Sequence, residues 1–178
     1  MAIESESRQY ELMEKTIVIN RTSKVVEGGR IFSFTAVVVV GNGKGKVGFG
    51  IGKSDEVPVA VQKATDQAKK SMIQVPLKGN TIQHPITGRH GASRVYMRPA
   101  SDGTGVIAGG AARAIFEVMG VENVLSKCIG STTAINVVNA TFDGLKRQKT
   151  IKMMSQKRGV NVLSKLAPKR VVKEGESS

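Results

Sequence analysis

The sequence lacks several features that define whole classes of protein. Tryptophan is absent and aromatic residues make up 4% of the chain, so the 40% of apolar residues must build a mainly aliphatic core. The longest apolar run, Ala36 to Val40, is far shorter than the roughly 20 residues of a membrane-spanning helix. The first residues, Met-Ala-Ile-Glu-Ser-Glu-Ser, are acidic and resemble no secretory signal, which predicts a reducing, cytoplasmic location.

Residues for metal and redox chemistry are also scarce. Cys128 is the only cysteine, so it has no partner for an intrachain disulfide. With only His84 and His90 beside it, the chain cannot assemble a closed zinc site from cysteine and histidine. We therefore predict no metal and no cofactor, and we interpret Cys128 as a small buried apolar group.

Acidic residues are few relative to basic ones. The chain has 14 Asp and Glu against 27 Lys and Arg, which gives a formal net charge of +13. Two long segments, 67–101 and 146–173, contain no acid at all. This pattern predicts a polyanionic partner that the protein binds by neutralising phosphates. Because so few aromatic rings are available to stack on bases, folded RNA fits better than a single strand.

The first half of the chain predicts a β-β-β-α domain over residues 16–74, after a flexible arm at 1–15. β-branched and aromatic residues are frequent in Thr16–Val26 and Arg30–Val40, and a turn signal separates these two predicted strands. After the turn at Gly41–Gly45, apolar residues alternate with glycines, which predicts a third strand. Apolar residues then recur at helical spacing from Pro58 to about Met72. A linker is predicted at 75–80, where Pro76 and Gly79 interrupt the pattern.

The second half predicts a two-layer α/β domain of order β-β-α-β-α over residues 81–148. A hairpin pairs 81–86 with 92–98 and turns through 87–91, and a helix follows at 111–119. A strand at 121–129 and a last helix capped by Ser131 or Thr132 complete the domain. Residues 149–178 form a basic tail with room for a short helix that orders on a partner. The fold class predicted is α+β.

Three glycine-rich motifs resemble nucleotide-binding sequences. Gly43-x-Gly45-x-x-Gly48 matches a dinucleotide fingerprint, but the residues after it alternate like a strand instead of opening a helix. Gly48-x-x-x-Gly52-Lys53-Ser54 is one residue too short for a P-loop. Pro99-x-x-x-Gly103-x-Gly105 precedes a helix and is a sensible phosphate site. A small-molecule phosphotransferase that uses the 99–110 loop is therefore the alternative function, although Val106-Ile107-Ala108 follow where such enzymes usually carry hydroxyl residues.

Long blocks of the sequence resemble one known family. They include Gly29-Arg30-Ile31-Phe32-Ser33-Phe34-Thr35-Ala36, Gly45-Lys46-Val47-Gly48-Phe49-Gly50-Ile51-Gly52-Lys53, Gln83-His84-Pro85, Pro99-Ala100-Ser101 and Ala108-Gly109-Gly110-Ala111. These blocks look like the signature of the bacterial-type small-subunit ribosomal protein S5 family. The resemblance extends over residues 16–158.

The resemblance implies a first domain similar to double-stranded-RNA-binding modules and a second domain whose kinase-like fold contains a left-handed crossover but carries no catalysis. It implies a structural, non-enzymatic component of the small ribosomal subunit. Such a protein binds small-subunit ribosomal RNA, lies near the mRNA entry path, supports translational accuracy, and contacts the fourth and eighth small-subunit ribosomal proteins. The family's spectinomycin-resistance loop matches Val26, Glu27, Gly28, Gly29, Arg30 and Ile31, where members often carry lysine at the position of Glu27.

The candidate RNA-binding residues are cations, together with residues at glycine-rich turns that allow close backbone approach. In the first domain they are Arg21, Lys24, Gly28, Gly29, Arg30, Asn42, Lys44, Lys46 and Lys53. In the second they are Arg89, His90, Arg94, Arg98, Gly103, Gly105 and Arg113. No catalytic residue is predicted.

Overall fold

The computed structural model describes residues 12–159. Of these, the residues up to Gln148 belong to one compact unit and residues 149–159 to another. The strands are β1 (Met13–Val26), β2 (Gly29–Gly41), β3 (Lys46–Ser54), β4 (Ile73–Gln74), β5 (Leu77–Lys78), β6 (Thr81–Ile82), β7 (Ile86–His90), β8 (Ser93–Pro99), β9 (Val106–Ile107) and β10 (Val124–Gly130). The helices are α1 (Val57–Lys70), α2 (Gly110–Met119), α3 (Ala134–Lys146) and α4 (Ile151–Arg158).

The first sheet is antiparallel in the order β1-β2-β3-β4. It contains the three predicted strands followed by a helix, with two corrections. β1 begins at Met13, inside the predicted flexible arm, because its residues pair with β2 although they are exposed and show no apolar period. The short strand β4, which follows α1, adds a fourth strand that was not predicted.

The middle of the first sheet is covered on both faces. Val38 and Val40 pack with Ala64 and Ala68 of α1. Val37 and Val39 point to the opposite face and belong to the main core together with residues of α2 and α3. This double burial explains why the run from Ala36 to Val40 is continuously apolar instead of alternating.

Glycines of β3 bring α1 unusually close to the sheet. Gly48, Gly50 and Gly52 face Ala68, Ala64 and Ala60 of the helix, respectively. A Cβ added at Gly50 would lie 2.7 Å from the Ala68 amide nitrogen and still closer to the Ala64 carbonyl oxygen. Gly48 and Gly52, which imitate a P-loop in the sequence, are therefore packing contacts in a strand, and Gly48 is also the last glycine of the dinucleotide-like motif.

The second sheet has the order β7-β8-β10-β9, antiparallel except for the parallel pair β10-β9. Its first hairpin differs from the prediction, because residues 87–90 lie in β7 and the reversal occurs at Gly91 and Ala92. Gly88 is a strand residue beneath α3, and a Cβ there would lie 2.8 Å from the Gly144 amide nitrogen. The predicted first strand, 81–86, is divided between β6 and β7.

A single hydrophobic cluster contains residues from both halves of the first unit, among them Val37, Val75, Met97, Phe116 and Leu145. Val75 is buried, and β5 begins two residues later, so the predicted linker at 75–80 is partly structured. Cys128 is half-buried against this core, not fully buried as predicted. The division into domains at 16–74 and 81–148 stays a prediction.

The second unit begins with α4, a helix without buried residues. The Thr150 hydroxyl accepts a hydrogen bond from the Met153 amide and caps the first turn. The apolar residues 160–166, which suggested a short helix in the tail, lie outside the described residues. Across residues 12–159, no helix is long and apolar enough to cross a membrane.

Candidate nucleic-acid interface

Within residues 12–148, helices cover only one face of the second sheet, and the other face is accessible. Along β8, Ser93, Val95 and Met97 are buried whereas the residues between them are exposed. The strand register places each side chain of β7 and β10 on the same face of the sheet as its cross-strand partner in β8. Ile107 of β9 likewise lies on the same face as its partner Leu125 in β10. The open face, as we define it, consists of Thr87, Arg89, Arg94, Tyr96, Arg98, Ile107, Leu125, Lys127 and Ile129.

The charge of the open face is entirely positive. It carries three arginines and Lys127, and none of its nine residues is acidic. Within residues 12–159, none of these four cations forms an ion pair. An acid does lie at the edge of the sheet, since Asp143 of α3 accepts a hydrogen bond from the Arg89 amide, but its carboxylate is paired with Arg147 at 2.6 Å.

Two of the cations face each other directly. Arg89 and Arg94 are cross-strand partners in β7 and β8. Like charges at such positions destabilise a strand pair unless an anion lies between or near them. The arrangement therefore favours a bound polyanion over empty solvent.

The predicted residues of the second half lie at several separate places in the structure. Arg89, Arg94 and Arg98 lie together on the open face. His90 is exposed at the end of β7, beside the hairpin turn. Arg113 lies on α2 and pairs at 3.2 Å with Glu117, a carboxylate that also pairs with Lys15.

The loop between β8 and β9 contains the two glycines proposed to bind phosphate. Gly103 and Gly105 both have positive φ, 86° and 76°, in the region that favours glycine. The Gly105 amide donates a hydrogen bond to the Asn123 side-chain oxygen at 3.0 Å. That amide is therefore used inside the fold and is not directed toward a phosphate.

In the first half, the far end of the β1-β2 hairpin projects beyond β3. We call residues 20–33 the ribbon: β2 pairs with β3 only from Phe34 onward, and Asn20 and Arg21 lie at the base of the ribbon, opposite Thr35 and Phe34. The Arg21 guanidinium lies 3.7 Å from the centre of the Phe32 ring. The ribbon carries all of the predicted residues from Arg21 to Ile31, namely Arg21, Lys24, Val26, Glu27, Gly28, Gly29, Arg30 and Ile31.

The turn at Gly41–Gly45 has an internal role. The side-chain oxygen of Asn42 accepts hydrogen bonds from the amides of Lys44 and Lys46, at 2.9 Å and 3.0 Å. The amides of Gly43 and Gly45 donate to carbonyl oxygens at the end of α2. The glycines therefore join the turn to the helix, while the side chains of Lys44, Lys46 and Lys53 are exposed.

Comparison with known proteins decides the family. A family model described as ribosomal protein S5, N-terminal domain, matches residues 12–76, and one described as ribosomal protein S5, C-terminal domain, matches residues 88–158. The chain belongs to the ribosomal protein S5 family. Both sheets lie largely within these matches, so the ribbon and the open face are parts of the family fold.

Individual relatives resemble the chain over almost its whole length. Small ribosomal subunit protein uS5 of Alcanivorax borkumensis is 62% identical over 85% of this chain and 90% of the relative. The protein of the same name from Pseudoalteromonas translucida is 58% identical over 90% of this chain and 95% of the relative. The family is one of structural ribosomal proteins, and the chain is accordingly a ribosomal protein of the small subunit.

Sequence reasoning found the three arginines of the open face and missed its other residues, among them the ring of Tyr96 and the fourth cation, Lys127. Tyr96 follows the same alternation as Arg94 and Arg98, so the period of two along β8 was sufficient to place it. Lys127 is a single cation in an apolar strand, and its position beside Tyr96 depends on the pairing of β10 with β8. That pairing joins residues about thirty positions apart, which no local pattern reveals.

Proposed function

We propose that this ribosomal protein binds small-subunit ribosomal RNA through the open face and the ribbon, in a structural and non-enzymatic role. The observation that carries the proposal is a set of four cations on the open face, Arg89, Arg94, Arg98 and Lys127, which form no ion pair within residues 12–159 and have no acid among them. Lys and Arg that neutralise phosphates release counterions from RNA, which supplies affinity without sequence readout.

The ribbon supports the same function by a different geometry. A two-stranded ribbon is narrow enough to reach beyond the body of a protein, and this one carries Arg21, Lys24 and Arg30 among exposed apolar side chains. We propose that it enters folded RNA and that the loop Val26–Ile31 governs the response to spectinomycin. Glu27 places an acid in this loop, which weakens its attraction for phosphate.

The finer functional assignments also belong to this proposal. We propose that the protein works in the cytoplasm near the mRNA entry path, supports the accuracy of decoding, and contacts the fourth and eighth small-subunit proteins. We further propose that residues 16–74 resemble a double-stranded-RNA-binding module. The order β1-β2-β3-α1, with the helix packed on one face of the sheet, supports that comparison.

Binding of the full-length chain to purified small-subunit ribosomal RNA over a range of salt concentrations tests the proposal. The double variant Arg94→Gln/Arg98→Gln removes two open-face charges. The salt slope, which is the slope of the logarithm of the binding constant against the logarithm of the salt concentration, is therefore expected to become shallower by about 2. The control Arg113→Gln/Lys69→Gln removes two cations that are already paired with acids. If both doubles keep the slope of the parent protein, the open face is not the RNA-binding surface.

A further inference from the structure

We propose that Tyr96 is a stacking platform for a single unpaired base of the small-subunit ribosomal RNA, held between Arg94 and Arg98. This inference rests on the proposed function, because it assigns one nucleotide to the centre of the open face. It adds a base contact to a surface that otherwise binds phosphates, and it names the residue that makes it.

Tyr96 lies at the middle of the sheet. β8 is an interior strand, and the cross-strand partners of Tyr96 are Thr87 on one side and Lys127 on the other. Arg94 and Arg98 lie two residues away along the same strand, each at about 7 Å by ordinary strand rise. The phenol is thus surrounded by side chains that bind phosphate.

The ring is accessible and has no ring partner among residues 12–159. Tyr96 is 40% exposed although it stands on a central strand. The two aromatic and cation–π contacts found in residues 12–159, Phe49 with Phe142 and Arg21 with Phe32, do not involve it. An exposed ring at such a place is free to stack, and stacking accepts any base because every base has a π-face.

The charges around the ring favour RNA over a protein as the occupant. A protein surface would have to supply several acids to match four cations within one sheet face. An RNA strand supplies this match because every nucleotide brings a phosphate, and we propose that the phosphates on the two sides of the stacked base pair with Arg94 and Arg98. Ile129 and Leu125 on β10 add an apolar border for the sugar and the base edge.

The low aromatic content limits the site to one base. Tyr96 is the only aromatic residue among the nine of the open face. A tract of single-stranded RNA needs several rings in succession. A folded RNA with one base turned out of its helix needs only one.

Tyrosine fluorescence gives a direct test. The chain has no tryptophan and only two tyrosines, so the variant Tyr10→Phe leaves Tyr96 as the sole emitter. Addition of small-subunit ribosomal RNA is expected to quench this emission because the base contacts the ring. Inorganic polyphosphate, which has charges but no bases, is expected to compete for binding and leave the emission unchanged. Equal quenching by both polyanions would overturn the proposal.

Two substitutions separate stacking from charge. Tyr96→Leu keeps an apolar side chain but removes the ring, and its affinity for the ribosomal RNA is expected to fall by about tenfold. Tyr96→Phe is expected to bind within about twofold of the parent, because a phenyl ring still stacks. Neither change alters the charge, so the salt slope is expected to stay constant in both. Thermal unfolding followed by circular dichroism checks that both variants are folded.

The outcomes distinguish this inference from the function on which it rests. If Tyr96→Leu binds like the parent while Arg94→Gln/Arg98→Gln flattens the salt slope, phosphates are bound and the stacking assignment is wrong. Unchanged binding in all of these variants would overturn both. If Tyr96→Leu lowers incorporation into small subunits but leaves RNA affinity intact, the face binds a protein and the inference fails.

Discussion

The two large sheets of this protein differ in how they bury an interior strand. In the middle of the first sheet, β2 is buried on both faces, and its residues from Ala36 to Val40 are all apolar. In the second sheet, β8 is buried on one face, and its exposed positions are Arg94, Tyr96 and Arg98. The difference shows where the sequence is constrained by packing and where it is available for binding.

The two sheets also differ in how their helices approach. α1 reaches the first sheet through three glycines that face three alanines, so the contact is made by backbone atoms. On the second sheet, the corresponding close contact is confined to Gly88 beneath α3. A covered sheet face therefore tolerates almost no added atom, whereas the open face accommodates side chains of any size.

The largest effect is expected at the closest contact between α1 and the first sheet. Gly50→Ala adds one carbon against the helix backbone, which cannot rotate away as a side chain would. We expect the free energy of unfolding to fall by about 3 kcal/mol. Chemical denaturation monitored by circular dichroism measures this change.

Gly28→Ala in the β1-β2 turn is the matched control. A Cβ at Gly28 meets no atom within 4 Å, and its φ is not positive. The same substitution there is expected to change stability by less than about 0.5 kcal/mol. Equal losses at the two glycines would show that the close helix contact is not what makes Gly50 intolerant.

A smaller loss of stability is expected when a methyl group of valine is replaced by the hydroxyl group of threonine. Val39→Thr places an oxygen in the covered part of the first sheet, where Val39 is fully buried, and is expected to cost about 1–3 kcal/mol. Val25→Thr makes the same change in the ribbon, where Val25 is 74% exposed, and is expected to be nearly neutral. Thermal melts of the two variants compare covered and uncovered parts of one sheet. Similar melting temperatures would contradict the double coverage.

On the open face, single charges are expected to matter for binding but not for folding. Lys127→Gln should lower the salt slope of RNA binding by about 1 and leave the free energy of unfolding within about 0.5 kcal/mol of the parent. Lys69→Gln is the control, since the Lys69 ammonium is already paired with Glu14 at 2.9 Å. If Lys69→Gln lowers the salt slope of RNA binding more than Lys127→Gln does, the RNA contacts α1 instead of the open face.

The sequence predicted the helices and strands better than it predicted which of their faces are covered by other parts of the fold. Helices α1, α2 and α3, the first two long strands and the alternation in β8 follow from local periods, because side-chain direction repeats every two or 3.6 residues. Helix α4 was not predicted, since it has no buried apolar face. Coverage does not follow, because it depends on distant residues: nothing near Val37 shows that α2 packs on it. Gly88 was misread as a turn because glycine serves turns and close packing alike. The positively charged site was partly found, since charge is visible in a sequence, but its Lys127 required the β8-β10 register.

The smallest expected effect compares the two faces on adjacent residues of one strand. In β10, Lys127 points to the open face and Cys128 points to the opposite face, where it is packed against the core. Burial raises the pKa of the Cys128 thiol, and the neighbouring Lys127 ammonium lowers it by a smaller amount. Because only the thiolate reacts, alkylation by iodoacetamide is expected to be slow at neutral pH and to rise at a higher pH than for an unperturbed cysteine. Lys127→Gln removes the opposing charge, so its pH–rate profile should move further upward. A profile at or below that of a free cysteine would show that Cys128 lies in water and that the covered face is open at this edge.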